Sequence, residues 1–114
     1  MELIFKICRL SLWPAAERAG SFAGAEIDLT DGYIQFSTAE QARETAAKHF
    51  AGQSDLIIAA VDPDRLGPAL RWEPARGGRL FPHLYGPLPL SAVAWVKPLP
   101  LGADGAHRFP DGLP

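Results

Sequence analysis

The segment Asp55-Leu-Ile-Ile-Ala-Ala-Val61 is the most uniformly apolar run in the 114-residue chain. A short, continuous apolar run of this kind predicts a strand that is buried on both faces, at the centre of a sheet. The proline- and glycine-containing segment 62–68 predicts a turn directly after it. We therefore expect the rest of the chain to be arranged around this strand.

Before the central strand, the pattern predicts a first strand over residues 3–8 and then a helix. Lys6 is the one charged residue of that strand, and if it is buried it must reach a carboxylate, a ligand or the solvent edge. Ser11 is the expected N-cap of the helix and Gly20 its stop signal. Trp13 falls on the apolar face, so we expect it in the core.

Residues 21–32 are expected to form a loop that ends in the Asp-Gly turn signal. Tyr33–Phe36 follows as a strand. Ser37 and Glu40 have the spacing of a capping box, in which each side chain satisfies a backbone N–H group at the start of a helix. The second helix is predicted to run from there to about Phe50.

After the central strand, residues 70–73 and 91–97 are predicted to be strands, with a polar loop between them. The order β-α-β-α-β-β-β indicates an α+β fold with two helices in the N-terminal half and a mixed or antiparallel sheet. Residues 1–101 are expected to form a single domain. Residues 102–114 are rich in Pro and Gly and are expected to form a loose tail.

The composition excludes several classes of function. A net charge of -2 and a pI near 5.8 provide no basic field, which argues against general nucleic-acid binding. No apolar run approaches the roughly 20 residues that a membrane span needs. The start of the chain lacks the features of a secretory signal and Cys8 is the only cysteine, so a reducing cytoplasm is expected. The three histidines lie far apart and form no metal-binding motif, so no metal is predicted.

The segment Glu73-Pro-Ala-Arg-Gly-Gly-Arg-Leu-Phe-Pro-His-Leu-Tyr-Gly86 contains the densest group of residues that could act on a ligand. Glu73, at a strand end beside Trp72, is either a partly desolvated carboxylate suited to proton transfer or a surface residue paired with an arginine. His83 either donates to a ligand or moves a proton, or it is a buried histidine satisfied by backbone carbonyls. Tyr85 is expected to contribute packing.

Several motifs resemble a small bacterial family known as domain of unknown function 952. They occur in the family's order over about residues 3–99, and the most specific is a Phe-Pro-His-Leu-Tyr-Gly run after a Trp-Glu pair. The matching segments are Ile4–Ile7, the helix containing Trp13, Asp31–Ser37, Leu56–Asp62, Trp72-Glu73 and Phe81–Gly86.

That family is similar, at the level of the fold, to the ADP-ribosyltransferases, which bind NAD in a cleft between two small sheets. The resemblance implies a split α+β fold, with NAD as a candidate substrate and with Glu73 and His83 as catalytic residues. The neighbourhoods it implies for holding the nucleotide contain Lys6, Tyr33, Gln35 and Ser37. Arg79 and Tyr85, from the segment 73–86, are further candidates for binding the cofactor. Many family members have a histidine at the positions of Lys6 and Gln35, so this chain departs from the pattern at two positions of the site.

Three functional hypotheses remain open from the sequence. The first is an enzyme that binds NAD or another phosphate-bearing nucleotide and acts at its glycosidic bond, with Glu73 stabilising the positive charge that develops there. The second is a non-catalytic module that binds a ligand or a peptide. In the third, the polar residues form a structural brace, within one chain or across a dimer. The oligomeric state is not predicted.

Overall fold

The computed structural model describes residues 2–113, and within them the chain forms eight strands and three α-helices. The strands are β1 (Ile4–Arg9), β2 (Ser21–Phe22), β3 (Ile34–Gln35), β4 (Leu56–Val61), β5 (Leu70–Pro74), β6 (Leu80–Leu84), β7 (Leu88–Pro89) and β8 (Val93–Leu99). The helices are α1 (Trp13–Ala19), α2 (Glu26–Asp31) and α3 (Ala39–His49). All strand pairs are antiparallel in this part of the chain. The prediction of an α+β fold with antiparallel sheets is confirmed.

The first sheet has the strand order β1-β4-β8, with β4 in the centre. All six residues of β4 are buried, as its apolar sequence predicts. Because alternate side chains point to opposite faces of a sheet, β4 contributes to two separate core clusters. Ile57 packs in a first core cluster with Trp13, and Ile58 packs in a second core cluster with Leu99.

The second sheet has the order β3-β6-β5 and carries the residues that were expected to form the site. In its register, His83 on β6 lies opposite Gln35 on one side and Arg71 on the other. Two backbone hydrogen bonds of 2.8 and 2.9 Å between Phe5 and Ser37 link this sheet to the edge of the first. A third sheet consists only of β2 and β7.

The structure contains one more helix than the sequence predicted. Residues 21–32, expected to be a loop, form β2 and then α2. The sequence gives no local signal for α2, because its N-cap residue Ala25 has no side-chain acceptor. The one capping contact is made in the other direction, because the carboxylate of Asp28, inside the helix, accepts the backbone N–H of Ala25 at 2.8 Å. None of the helices within residues 2–113 is both long and apolar enough to span a membrane.

Each predicted N-cap residue was wrong by one position along the chain. Ser11 lies inside a 3-10 turn, Leu10–Leu12, and α1 follows that turn without a side-chain cap. The cap of α3 is Thr38, whose hydroxyl accepts the Gln41 N–H at 3.3 Å, while the Gln41 side chain accepts the Thr38 N–H at 3.1 Å. This is the reciprocal arrangement expected of a capping box, one residue later than the sequence suggested.

Residues 102–113, expected to be a loose tail, contact the domain at several points. His107 is buried and donates a hydrogen bond from Nε2 to the Gln53 carbonyl at 2.9 Å. The guanidinium of Arg43 lies 4.7 Å from the centre of the Phe109 ring. Phe109 and Leu113 also pack against the second core cluster. The tail therefore covers part of the hydrophobic core.

Candidate functional site

Lys6 and Asp28 form a buried ion pair where β1 faces α2. Lys6 Nζ lies 2.8 Å from Asp28 Oδ2 and 3.0 Å from Oδ1, and the two side chains are 6% and 3% exposed. The requirement that a buried lysine find a partner is thus met by a carboxylate. Asp28 was not among the predicted site residues, because it lies in the segment that was expected to be a loop.

The groups of this ion pair are largely engaged within the protein. The Lys6 ammonium donates to Asp28 Oδ1 at 3.0 Å and to the Gln35 carbonyl at 3.2 Å, and Asp28 Oδ2 lies 2.8 Å away as an ion-pair contact. The Asp28 carboxylate also accepts the backbone N–H groups of Ala25 at 2.8 Å and Gln35 at 3.4 Å. A ligand phosphate would therefore have to compete with Asp28 for Lys6.

A pocket of about 300 Å³ lies beside the ion pair. Its volume is at the lower end of the range for small-molecule sites. Gln35 lines the pocket, and its side-chain amide has no hydrogen-bond partner among residues 2–113. The lining residues are Phe5, Lys6, Ile7, Ile27, Asp28, Gln35, Ser37, Thr45, His49 and Phe50.

Polar contacts from α3 close one wall of the pocket. The hydroxyl groups of Ser37 and Thr45 are 2.7 Å apart. Arg76 donates to Thr45 Oγ1, to His49 Nε2 and to Glu44 Oε1, each at 3.0 Å. Burial, together with the positive charge of Arg76, lowers the pKa of His49, so this imidazole is neutral at pH 7. Ser37, predicted to bind the nucleotide, is thus a wall residue already bonded to α3.

Arg79 was also predicted to bind the nucleotide, but it does not line this pocket. Its guanidinium forms an ion pair with Glu44, the same carboxylate that Arg76 contacts. Hydrogen bonds from Arg76, and then the charge of Arg79, lower the pKa of Glu44. Both arginines also lie against the Phe81 ring. Their positive charges are therefore largely engaged within the protein.

Glu73 and His83 form a second polar group, on one face of the β3-β6-β5 sheet. His83 Nδ1 lies 2.8 Å from Glu73 Oε1, and the Tyr85 hydroxyl donates to the same oxygen at 2.6 Å. The Tyr33 ring stacks on the His83 imidazole, with 4.1 Å between ring centres and an interplanar angle of 25°. His83 is buried, while Glu73 is partly exposed.

The hydrogen bonds to Glu73 determine which nitrogen of His83 carries the proton. The bond from Tyr85, and then that from His83, lower the pKa of the Glu73 carboxyl, so it is ionised at pH 7 and only accepts. Nδ1 must therefore be the N–H donor in the neutral ring, which leaves Nε2 with a free lone pair. Nε2 is buried and has no hydrogen-bond partner in the part of the chain that the structure describes. An unsatisfied buried acceptor of this kind is rare in folded proteins.

The pocket and the Glu73–His83 pair are neighbours through Gln35. Gln35 lines the pocket and is also the register partner of His83 on the adjacent strand. Directly opposed side chains on one face of a sheet lie close enough to contact each other. The predicted residues therefore fall into two adjoining groups, Lys6, Gln35 and Ser37 at the pocket and Tyr33, Glu73, His83 and Tyr85 on the sheet face.

Sequence reasoning missed several residues that contact this site. Asp28, Thr45, His49 and Arg76 all take part in it. Only Asp28 had a usable signal, since a buried Lys6 requires a carboxylate. No group of three or more His, Cys, Asp or Glu side chains within residues 2–113 is placed to hold a metal ion.

The fold and the site define a small α+β domain with a mixed polar and apolar pocket. Residues 7–96 match the sequence model of the family described as "Protein of unknown function (DUF952)". This match covers most of the chain, and the chain belongs to that family.

Two solved structures show the same fold. The crystal structure of protein CC0527 from Caulobacter crescentus is 49% identical, with 97% of each chain covered and a TM-score of 0.92. The solution NMR structure of CC0527 is 49% identical over 95% of this chain and 93% of that one, with a TM-score of 0.84. Neither description names an activity or a ligand. No curated protein matches the chain.

Proposed function

We propose that this chain is a small-molecule-binding domain in which His83, oriented by Glu73, accepts a proton from a bound reactant and returns it. The observation that carries the proposal is His83 Nε2, which is buried and has no hydrogen-bond partner among residues 2–113, while Nδ1 is held by Glu73. A carboxylate that holds one imidazole nitrogen fixes the tautomer and favours protonation of the other nitrogen.

The surroundings of His83 support a role as a general base. The carboxylate of Glu73 would stabilise the imidazolium that forms when Nε2 takes a proton, as opposite charges at short distance attract. The hydroxyl of Tyr85 holds that carboxylate in place, and the stacked ring of Tyr33 fixes the plane of the imidazole. Gln35, which lines the pocket, is the register partner of His83, while His83 itself is not a lining residue.

The tautomer of His83 can be tested by nitrogen NMR of protein labelled at histidine. We expect the protonated-nitrogen signal at Nδ1 and the lone-pair signal at Nε2. His107 is an internal control with the opposite expectation, because its Nε2 donates to the Gln53 carbonyl. A protonated Nε2 on His83 would remove the base from the proposal, and the Glu73 group would then be a structural brace.

Proton transfer can be tested with para-nitrophenyl acetate, a small neutral ester. His83 would take a proton from water as the water oxygen attacks the ester carbonyl, and the bond to nitrophenolate would break to leave acetate. Removing a general base costs about 10²- to 10⁴-fold in rate, so His83→Asn should lose nearly all hydrolysis above background. His107→Asn is the matched control and should keep it. Equal rates in the two variants would exclude His83 as the base.

A second candidate, cleavage of NAD at the glycosidic bond, is favoured by Glu73 itself. Its carboxylate is ionised, partly exposed and close to two tyrosine rings, Tyr33 and Tyr85, on which a nicotinamide could stack. This candidate follows the resemblance to ADP-ribosyltransferases and would require Lys6 and Arg79 to exchange their present carboxylate partners for phosphate.

Titration with NAD and ADP-ribose, followed by assay for released nicotinamide, tests this second candidate. If it holds, nicotinamide appears and its release is lost in Glu73→Gln. Binding of ADP-ribose without any release would indicate a non-catalytic nucleotide-binding module. No binding of either compound would exclude the nucleotide candidate while leaving the His83 proposal intact.

A further inference from the structure

We infer that the pocket beside Lys6 takes an uncharged ligand, with an amide, carbonyl or hydroxyl head bound by the Gln35 amide and a short apolar body beneath it. This inference rests on the proposed function, since it names the class of molecule that would be presented to His83. It depends on three features of the pocket. The charged side chains are already paired, one neutral polar side chain has no partner among residues 2–113, and the remaining wall is apolar.

The charged groups that line the pocket neutralise each other. The Lys6 ammonium lies 2.8 and 3.0 Å from the two Asp28 oxygens and also donates to the Gln35 carbonyl. His49 is neutral at pH 7, and its Nε2 accepts from Arg76. Arg76 does not line the pocket, and it shares the Glu44 carboxylate with Arg79. A charged ligand would therefore have to leave water without gaining an opposite charge, which is unfavourable.

Gln35 is the group left to recognise a ligand. Its backbone N–H and carbonyl are engaged by Asp28 and Lys6, which fix the position of the residue. Gln35 lines the pocket, and its side-chain amide, which has both donors and an acceptor, has no hydrogen-bond partner among residues 2–113. A neutral head group with complementary donors and acceptors matches this amide better than a full charge does.

The remaining wall is apolar. Phe5 and Ile7 from β1, Ile27 from α2 and Phe50 after α3 line the pocket. Ile27 is 62% exposed, so a ligand body placed against it would remove apolar surface from water. A volume of about 300 Å³ fits a single substituted ring better than a dinucleotide.

Three compounds of nearly equal shape test the inference, namely benzamide, benzoate and benzylamine, with phenyl phosphate as a phosphate-bearing comparison. Each is titrated against uniformly nitrogen-15-labelled protein at pH 7 and followed by NMR. We expect benzamide to shift the Gln35 side-chain amide and the backbone signals of Ile7 and Ile27. We expect it to bind at least about tenfold more tightly than any of the charged compounds, which corresponds to one hydrogen-bonded head group against an unpaired charge.

Variants at Gln35 sharpen the test. Gln35→Leu should weaken benzamide binding about tenfold, and Gln35→Glu should reverse the selectivity so that benzylamine binds best. Tighter binding of benzoate or phenyl phosphate to the unmodified protein would overturn the inference, as would the absence of any shift at the pocket. Either result leaves the His83 tautomer and the ester hydrolysis to be judged separately. Conversely, selective benzamide binding without a base at His83 would keep the inference and remove the proposed reaction.

Discussion

A charge at Lys6 is tolerated inside the protein because Asp28 matches it. Removing one partner of a buried pair leaves the other charge unpaired, at a cost of about 3–5 kcal/mol. We expect Lys6→Met and Asp28→Asn each to lower the free energy of unfolding by roughly that amount, measured by urea denaturation. We expect Lys6→Met/Asp28→Asn to cost less than the sum of the two, because the unpaired charge is absent.

An exposed pair offers the matched control. Arg108 and Asp104 lie 3.8 Å apart with side chains 61% and 63% exposed. Asp104→Asn should change the free energy of unfolding by no more than about 1 kcal/mol, since solvent screens such pairs. If Asp28→Asn were as mild as Asp104→Asn, the buried pair would contribute little to the fold.

The Cys8 thiol should make stability depend on pH at the alkaline end. Burial raises its pKa to about 11 in the folded protein from 9.0. Between these values the unfolded thiol loses its proton first, so the unfolded state is favoured as pH rises. We expect the free energy of unfolding to fall by roughly 2 kcal/mol more in the unmodified protein than in Cys8→Ala between about pH 8 and about pH 10.5. Parallel curves for the two proteins would contradict this expectation.

For single residues, the sequence allowed a prediction only where the chemistry of the side chain restricts its surroundings, as for a buried charge or a large apolar ring. The position of Lys6 in an apolar strand predicted that it would need a partner, and Trp13 was expected in the core. The partner itself could not be predicted, because Asp28 lies 22 residues away and its approach depends on a helix with no local signal. The Glu73–His83 contact likewise follows from the register of β5 and β6 rather than from spacing.

At the scale of elements, Gly24 lies just before α2 and sets the direction in which the chain enters this helix. Its φ of +117° is a conformation that residues with a side chain rarely adopt. A Cβ atom there would also lie 3.0 Å from the Asp28 Cβ. We expect Gly24→Ala to cost roughly 2–5 kcal/mol through backbone strain and overpacking together, measured by urea denaturation.

Gly20, at the end of α1, is a control that measures backbone strain without overpacking. It has a φ of +77°, but an added Cβ would have no neighbour within 4 Å. Gly20→Ala should therefore cost only about 1–2 kcal/mol, the strain of the left-handed backbone alone. Similar losses of unfolding free energy for Gly20→Ala and Gly24→Ala would mean that α2 shifts to make room for the methyl group at residue 24, so that overpacking adds no cost.

The elements differ in how well their limits could be predicted. The long α3 was found from its periodicity, but its cap was assigned to Ser37 instead of Thr38, since adjacent hydroxyl residues both fit the pattern. The structure separates their roles, with Thr38 capping the helix and Ser37 bonded to Thr45. The short α2 was missed because its N-cap residue is an alanine, and the capping contact at its start comes from Asp28 inside the helix.

At the scale of the whole molecule, the C-terminal segment should contribute to stability. Ending the chain after Leu101 removes the His107 hydrogen bond and uncovers the second core cluster. From the burial of a half-buried Phe109 and one hydrogen bond, we expect a loss of roughly 2–4 kcal/mol in the free energy of unfolding. An unchanged value would agree with the loose tail that the composition suggested.

The arrangement of the sheets is the part of the fold that the sequence predicted least. The central position of β4 was evident from its apolar residues, since only a strand buried on both faces has that composition. The division into separate sheets was expected only from the resemblance, because local sequence patterns do not show which strands pair or that Phe5 is linked to Ser37. The pocket lies along this junction. Some of its residues could be named from the sequence, but their arrangement in space could not be predicted.

The outer strand β5 has one unpaired side, with Arg71, Glu73 and Pro74 along it. An open strand edge is a template onto which other chains can add and grow into fibres. Proline lacks the N–H that such growth needs, and charges resist stacking of like strands. Glu73, which holds the His83 imidazole, thus also places a charge on this edge, so replacing it by an apolar residue carries a risk of precipitation at high concentration.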